Sequence, residues 1–182
     1  SKVDQVIWLH AASLGEFEQG LPILEQLRCT YPDHKLLLTF FSPSGFEVKK
    51  NTPAADVVTY MPLDTKKKVS EFLAIVNPKL AVFVKYEIWP NYLAALKKGN
   101  VPTLLISAFF TKQQIYFKWY GGLMRNALKT FDRFYVQDEN SKVLLNSIGF
   151  SNCDVTGDTR FDRVSKILNR DNHLEFMEIF NT

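Results

Sequence analysis

Two carboxylates occupy positions where an acid can do chemistry. The run His10-Ala11-Ala12-Ser13-Leu14-Gly15-Glu16 follows a short apolar segment and leads into helical spacing at Phe17, Leu21, Leu24 and Leu27. At such a strand-to-helix mouth Glu16 can act as a general base, taking a proton from a hydroxyl nucleophile one hydrogen bond away. The pattern Ser13-x-x-Glu16 is equally a capping box, in which the carboxylate returns to the cap's own N–H and complements the helix dipole. Spacing alone does not separate these readings. Gly15 permits close backbone approach to a ligand, and Ser13 either caps the helix or donates to that ligand. Glu87 ends another apolar run, with Lys85 two residues before it and Pro90 three after. It reads either as a site acid or as a first-turn acid that steadies a helix start. Lys85 can lower a carboxylate's pKa or meet a phosphate, or simply be solvated. His10 closes the first apolar run as a structural, hydrogen-bonded histidine or a secondary site candidate.

The elements that must position these residues follow from periodicity. Val6 to His10, Leu36 to Phe41, Val57 to Tyr60, Leu80 to Val84, Thr103 to Ser107 and Phe134 to Val136 are short apolar runs of strand length. Val69, Phe72, Leu73 and Val76 share one helical face, as do Trp89, Tyr92, Leu93 and Leu96. Pro32, Pro78 and Pro102 punctuate the chain just before strands. This alternation predicts an α/β, Rossmann-like, doubly wound parallel sheet whose ligands meet the carboxyl ends of the strands. The first loop carries no GxGxxG, so a nicotinamide dinucleotide is disfavoured.

Composition narrows the classes further. At 182 residues the chain has room for about one domain, not two full α/β lobes. Hydrophobic residues at 46% and charged residues at 23% belong to a folded, core-forming chain. A net charge of +3 is too small to imply a nucleic-acid partner. Cys29 and Cys153 have neither CxxC spacing nor a nearby His, so no metal site and no disulfide framework is expected. No apolar run reaches about eighteen residues, and the start with Ser1, Lys2 and Asp4 is polar, so neither a transmembrane helix nor a signal peptide is expected. The missing initiator Met points to upstream sequence that has been removed.

Four motifs, taken in order, give a resemblance over nearly the whole chain. Trp8-Leu9-His10-Ala11-Ala12-Ser13-Leu14-Gly15-Glu16, Glu87-Ile88-Trp89-Pro90-Asn91, Gln137-Asp138 and Val155-Thr156-Gly157-Asp158-Thr159-Arg160-Phe161-Asp162 are spaced as in the 3-deoxy-D-manno-octulosonic acid (Kdo) transferases of lipopolysaccharide synthesis, glycosyltransferase family 30. The resemblance implies the N-terminal, acceptor-binding lobe of a two-lobed GT-B enzyme: residues 1–160 the Rossmann-like domain, residues 161–182 a terminal helix or the start of the linker to a donor-binding lobe. It implies transfer of Kdo from CMP-Kdo to a lipid A precursor, with inversion and with neither metal nor cofactor. Glu16 is then the base and Glu87 part of the active site, with Ser13, Gly15, Lys85, His10, Lys112 and Arg160 as substrate-binding candidates. The family's usual arginine after the strand ending near Ser107 is absent, and Lys112 stands in that loop. Arg160 stands where the family usually carries Lys.

Two surfaces bear on a lipid acceptor. Segment 109–129 mixes Phe109, Phe110, Tyr116, Phe117, Trp119 and Tyr120 with Lys112, Lys118, Arg125 and Lys129. That composition suits either the bilayer interface or a core helix with inward aromatics. Lys66-Lys67-Lys68 adds attraction to anionic lipid or is solvated. The expected location is the cytoplasmic face of the bacterial inner membrane, peripheral or anchored by a segment outside this sequence. The alternative is a non-catalytic Rossmann-like ligand-binding module.

Overall fold

A computed structural model describes residues 5–158. Its centre is a seven-stranded, all-parallel sheet in the order β3-β2-β1-β4-β5-β6-β7. The strands are β1 (Val6–His10), β2 (Lys35–Phe40), β3 (Val57–Tyr60), β4 (Pro78–Val84), β5 (Thr103–Ala108), β6 (Arg133–Val136) and β7 (Cys153–Val155). Helices α1 (Leu14–Thr30), α2 (Pro43–Lys49), α3 (Lys66–Val76), α4 (Pro90–Lys98), α5 (Gly122–Leu128) and α6 (Glu139–Ser147) make the crossovers, with a 3-10 turn at Ile115–Phe117. The residues 161–182 expected to form a terminal helix or linker, and Arg160, lie outside the described part.

Alternation along the strands builds a separate core on each face. Ile7 and Leu9 of β1, Leu36, Leu38 and Phe40 of β2, and Val82 and Val84 of β4 pack under Phe17 and Leu24 of α1. Trp8, Leu37, Ala81 and Phe83 face the other way, against Phe72 of α3, Tyr92, Leu93 and Leu96 of α4, and Leu128 of α5. The Trp8 ring meets Phe72, Phe83 and Tyr92 at 5.2, 5.2 and 5.6 Å between centroids. Each such buried aromatic is worth about 1.5–3 kcal/mol in removed apolar surface, before the edge-to-face term.

Several details differ from expectation. Helix α4 begins at Pro90, with Trp89 as its N-cap rather than its first turn. Proline suits that first position because it has no N–H to leave unpaired. Segment 109–129 is not one helix: Gly121 sits so close to the Ile115 carbonyl that a Cβ there would fall 1.9 Å from its oxygen, and the chain turns between Phe117 and Gly122. Phe110 and Tyr116 point into the core, whereas Trp119 is 91% exposed. Pro78 lies within β4, and β7 has only three residues.

The strand order sets the site. Crossovers leave β1 toward β2 and β4 toward β5, in opposite directions, so the carboxyl ends of the neighbouring strands β1 and β4 flank a topological switch point. The loop from Ala11 to Ser13 and the loop from Lys85 to Trp89 both stand there.

Candidate active site

Glu16 lies in the first turn of α1, behind an extended N-cap, Ser13. Its side chain is 10% exposed. The Ser13 hydroxyl donates to Glu16 Oε2, and Ser13 makes no side-chain cap to the helix backbone. The serine oxygen of a capping box accepts from an amide, so these residues do not form that box. The second carboxylate oxygen faces across the switch point: Lys85 Nζ lies 3.7 Å from Oε1. One oxygen is thus held by the turn and the other by a cation from β4's loop.

Lys85 reaches Glu16 from a costly backbone conformation. Its φ is +70°, the left-handed region that costs a non-glycine residue roughly 1–2 kcal/mol. Its N–H is fixed on the Ile106 carbonyl at 2.8 Å, so the turn at the end of β4 is set by the neighbouring strand. Strain of this kind concentrates at functional loops.

Glu87 is not the acid of α4's first turn. The first free amides of that helix, Asn91 and Tyr92, donate to Asp64 of the β3–α3 loop at 3.2 and 3.0 Å, and the Asn91 side chain donates to the Asp64 carbonyl at 2.7 Å. Glu87 turns instead to Trp89 and His10: its Oε2 accepts from Trp89 Nε1 at 3.0 Å and lies 3.6 Å from His10 Nε2. Its side chain is 13% exposed. The charge of Glu87, after burial, also acts on Tyr116, whose phenol is pushed up to about 12. Trp89 packs on Phe41 with ring centroids 4.9 Å apart.

His10 is fully buried. Its Nδ1 sits 2.8 Å from Thr39 Oγ1, which also accepts from Trp8 Nε1 at 2.8 Å. Its Nε2 has no hydrogen-bond partner among the described residues, a state that ordinarily costs about 1–3 kcal/mol.

Ser13, Glu16 and Lys85 therefore form one group, and His10, Glu87 and Trp89 a second, on the two sides of the switch point. Gly15 stands beside the first; among the described residues a Cβ there would meet only Ser13 Oγ, at 3.8 Å, so none of these neighbours demands glycine and they leave the helix start open to close approach. Lys112 is exposed in the loop after β5, and among the described residues it makes no hydrogen bond or ion pair with either group. Among the described residues, no three His, Cys, Asp or Glu side chains are placed to share a metal ion.

The family model described as 3-Deoxy-D-manno-octulosonic-acid transferase (kdotransferase) matches residues 1–163. The chain belongs to this family. Among relatives, a 3-deoxy-D-manno-octulosonic acid transferase from Haemophilus influenzae is 36% identical over 105 residues, covering 57% of this chain and 25% of its own length. One from Bordetella pertussis is 29% identical over 163 residues, covering 86% of this chain and 38% of its own. The chain thus spans about a quarter to two fifths of the length of these curated relatives. In fold it resembles the UDP-GlcNAc 2-epimerase of Neisseria meningitidis: TM-score 0.64 and 17% identity, over 90% of this chain and 49% of the epimerase. The architecture is that of one Rossmann-like lobe of the GT-B type.

Several residues of this family member that support the site were not singled out by their sequence. Thr39 is a hydroxyl in an apolar strand run, and that break in the pattern was the available signal. Gly45 lets α2 approach the Ser13 turn: a Cβ there would lie 2.3 Å from the Phe40 ring and 3.0 Å from the Ser13 carbonyl carbon. Gln137 and Asp138, by contrast, form one of the four sequence motifs, and their work is structural: Gln137 donates to the Ser107 carbonyl at 2.9 Å and Asp138 caps α6 by accepting from Ser141 N–H at 2.7 Å.

Proposed function

We propose that this chain is the acceptor-side lobe of an enzyme that moves Kdo from CMP-Kdo to a hydroxyl of a lipid A precursor, with Glu16 as the general base. The observation that carries this reading is the Glu16 carboxylate itself, at the switch-point rim with Ser13 on one oxygen and Lys85 on the other. An entering alcohol replaces the Ser13 hydroxyl as hydrogen-bond donor. As its oxygen attacks the anomeric carbon of Kdo from the face opposite CMP, its proton passes to Glu16. The bond from that carbon to the phosphate oxygen breaks, its electron pair leaves with CMP, and the configuration inverts. Lys85 keeps the base oriented, and Glu87 accepts from another hydroxyl of the sugar across the crevice. Contacts to the donor belong mainly to a second lobe, which lies beyond residues 1–160. Lys112 and Arg160 remain candidates for the acceptor's phosphates.

The acceptor is amphiphilic, and one surface suits a bilayer. Ile115, Trp119, Tyr120 and Leu123 are exposed together in sequence with Lys112 and Lys129. Arg125 pins their loop by donating to the carbonyls of Tyr116 and Lys118 at 3.0 and 2.6 Å, so the aromatics are presented on an ordered support. Aromatics at headgroup depth with flanking cations are the composition of a membrane interface. Lys66, Lys67 and Lys68 are exposed at the start of α3 and add positive charge. No helix among the described residues is long and apolar enough to cross a membrane. We place this surface against an anionic membrane, at the cytoplasmic face of the inner membrane, because the transferase reading puts its lipid acceptor there.

The test is turnover by the intact protein: CMP-Kdo and a lipid A precursor should yield free CMP and a Kdo-bearing lipid. Acceptor binding with no CMP release would make the chain a non-catalytic module instead.

A further inference from the structure

The face of the sheet that meets α4 is apolar around Trp8, Phe83 and Tyr92, yet Trp8, Thr39 and His10 place a line of polar atoms through it. We infer that these three residues form a one-way hydrogen-bond relay that fixes His10 with its proton on Nε2 and aims that donor at Glu87, making His10 a positioning residue for the carboxylate.

The direction follows from what each group can do. An indole N–H only donates, so Thr39 Oγ1 accepts from Trp8. Thr39 is fully buried, and among the described residues the one further partner of its hydroxyl is His10 Nδ1, at 2.8 Å. The threonine proton therefore goes to Nδ1, and a neutral imidazole that accepts there carries its own proton on Nε2. A histidine kept only for packing would satisfy both nitrogens. Here Nε2 is buried with no hydrogen-bond partner, and Glu87 Oε2 lies 3.6 Å away, a few tenths of an ångström outside bonding reach.

Trp89 Nε1 already donates to that same oxygen. Two neutral donors converging on Oε2 set the rotamer of Glu87 and leave Oε1 as the acceptor for a hydroxyl of a polyhydroxylated ligand. A small closure of the Glu87 loop on an occupied site completes the His10 bond, as long hydrogen bonds in empty sites commonly shorten in complexes. The inference rests on the transferase reading only for the identity of that ligand; the relay is a property of the chain.

The experiment pairs nitrogen NMR of histidine-labelled intact protein with transfer kinetics. In the unmodified protein, His10 should show a protonated Nε2 and an unprotonated Nδ1. Thr39→Ser should keep this pattern, and Thr39→Val should lose it. His10→Ala and Thr39→Val should lower kcat about 10- to 100-fold, the loss expected when a site group drifts by an ångström, with KM for CMP-Kdo unchanged. His10→Gln, which offers an amide N–H near the position of Nε2, should recover most of kcat. A proton on Nδ1 of the unmodified protein overturns the relay, as does Thr39→Val with unaltered tautomer and rate, or His10→Gln no better than His10→Ala. If His10→Ala does not fold, the threonine pair decides. Absence of Kdo transfer by the unmodified protein would sink the transferase reading, and the nitrogen spectra would still decide the relay.

Discussion

Asp64 and Glu87 are two acids near one helix start, and the structure assigns them opposite duties that a paired substitution can separate. Asp64 accepts from the amides of Asn91 and Tyr92 at 3.2 and 3.0 Å, while Glu87 touches no amide of α4 and bonds to Trp89 Nε1. Loss of a capping side chain costs about 0.5–2 kcal/mol. Asp64→Ala orphans two amides and belongs at the upper end, about 2 kcal/mol, and a unit of this size shifts by about 2–4 °C per kcal/mol, so the melting temperature should fall by about 4–8 °C. Glu87→Gln keeps an oxygen for Trp89 and removes no cap, so its stability change should stay within about 0.5 kcal/mol. Differential scanning calorimetry measures both, and amide exchange at residues 91 and 92 localises the effect, rising for Asp64→Ala alone. Transfer activity should show the reverse order, with Glu87→Gln the more damaging. Equal destabilisation by the two substitutions, or none from Asp64→Ala, would refute the division of labour.

Gly45→Ala should destabilise by about 1–3 kcal/mol through overpacking, because its Cβ would lie 2.3 Å from the buried Phe40 ring; thermal melting checks this. Tyr116 is raised from 10.0 to about 12 by burial and then by Glu87. The unfolded phenol ionises first, so the stability this group contributes is complete below pH 10 and is lost as pH climbs toward 12. Tyr116→Phe should flatten that part of a stability–pH curve measured by urea unfolding. Replacing both Trp119 and Leu123 with Ser should weaken binding of the intact protein to anionic vesicles by tenfold or more, since inserting a Leu side chain alone is worth about 1.5–3 kcal/mol; sedimentation with vesicles measures it.

Much of this architecture was legible in the residues. The runs at Val6–His10 and Val57–Tyr60 coincide with β1 and β3: β1 is central and covered on both faces, which needs a continuous apolar strand, and the edge strand β3 shows through its β-branched and aromatic residues. The positions of Glu16 and Glu87 at strand ends followed from the same periodicity. What each acid touches did not. Asp64 lies 27 residues from Asn91 in sequence, and nothing local announces that it takes the cap Glu87 was a candidate for. Ser13 and Glu16 have capping-box spacing, yet the hydroxyl donates to the carboxylate, whose other oxygen faces Lys85 from the loop after β4, a contact that local spacing does not encode. β7 is too short to stand out at Cys153–Val155. Segment 109–129 carries both core and surface aromatics because its path is decided by the Gly121 turn and the Arg125 bonds, which composition does not encode.

The most direct measurement is the pre-steady-state rate of CMP release by intact protein carrying Glu16→Gln, with Ser13→Ala beside it. If the carboxylate removes the acceptor's proton, Glu16→Gln should slow release by about 10²–10⁴-fold while the melting temperature and acceptor affinity hold, and Ser13→Ala should keep most of the rate. Release by Glu16→Gln within a few-fold of the unmodified enzyme would mean that some other group takes that proton.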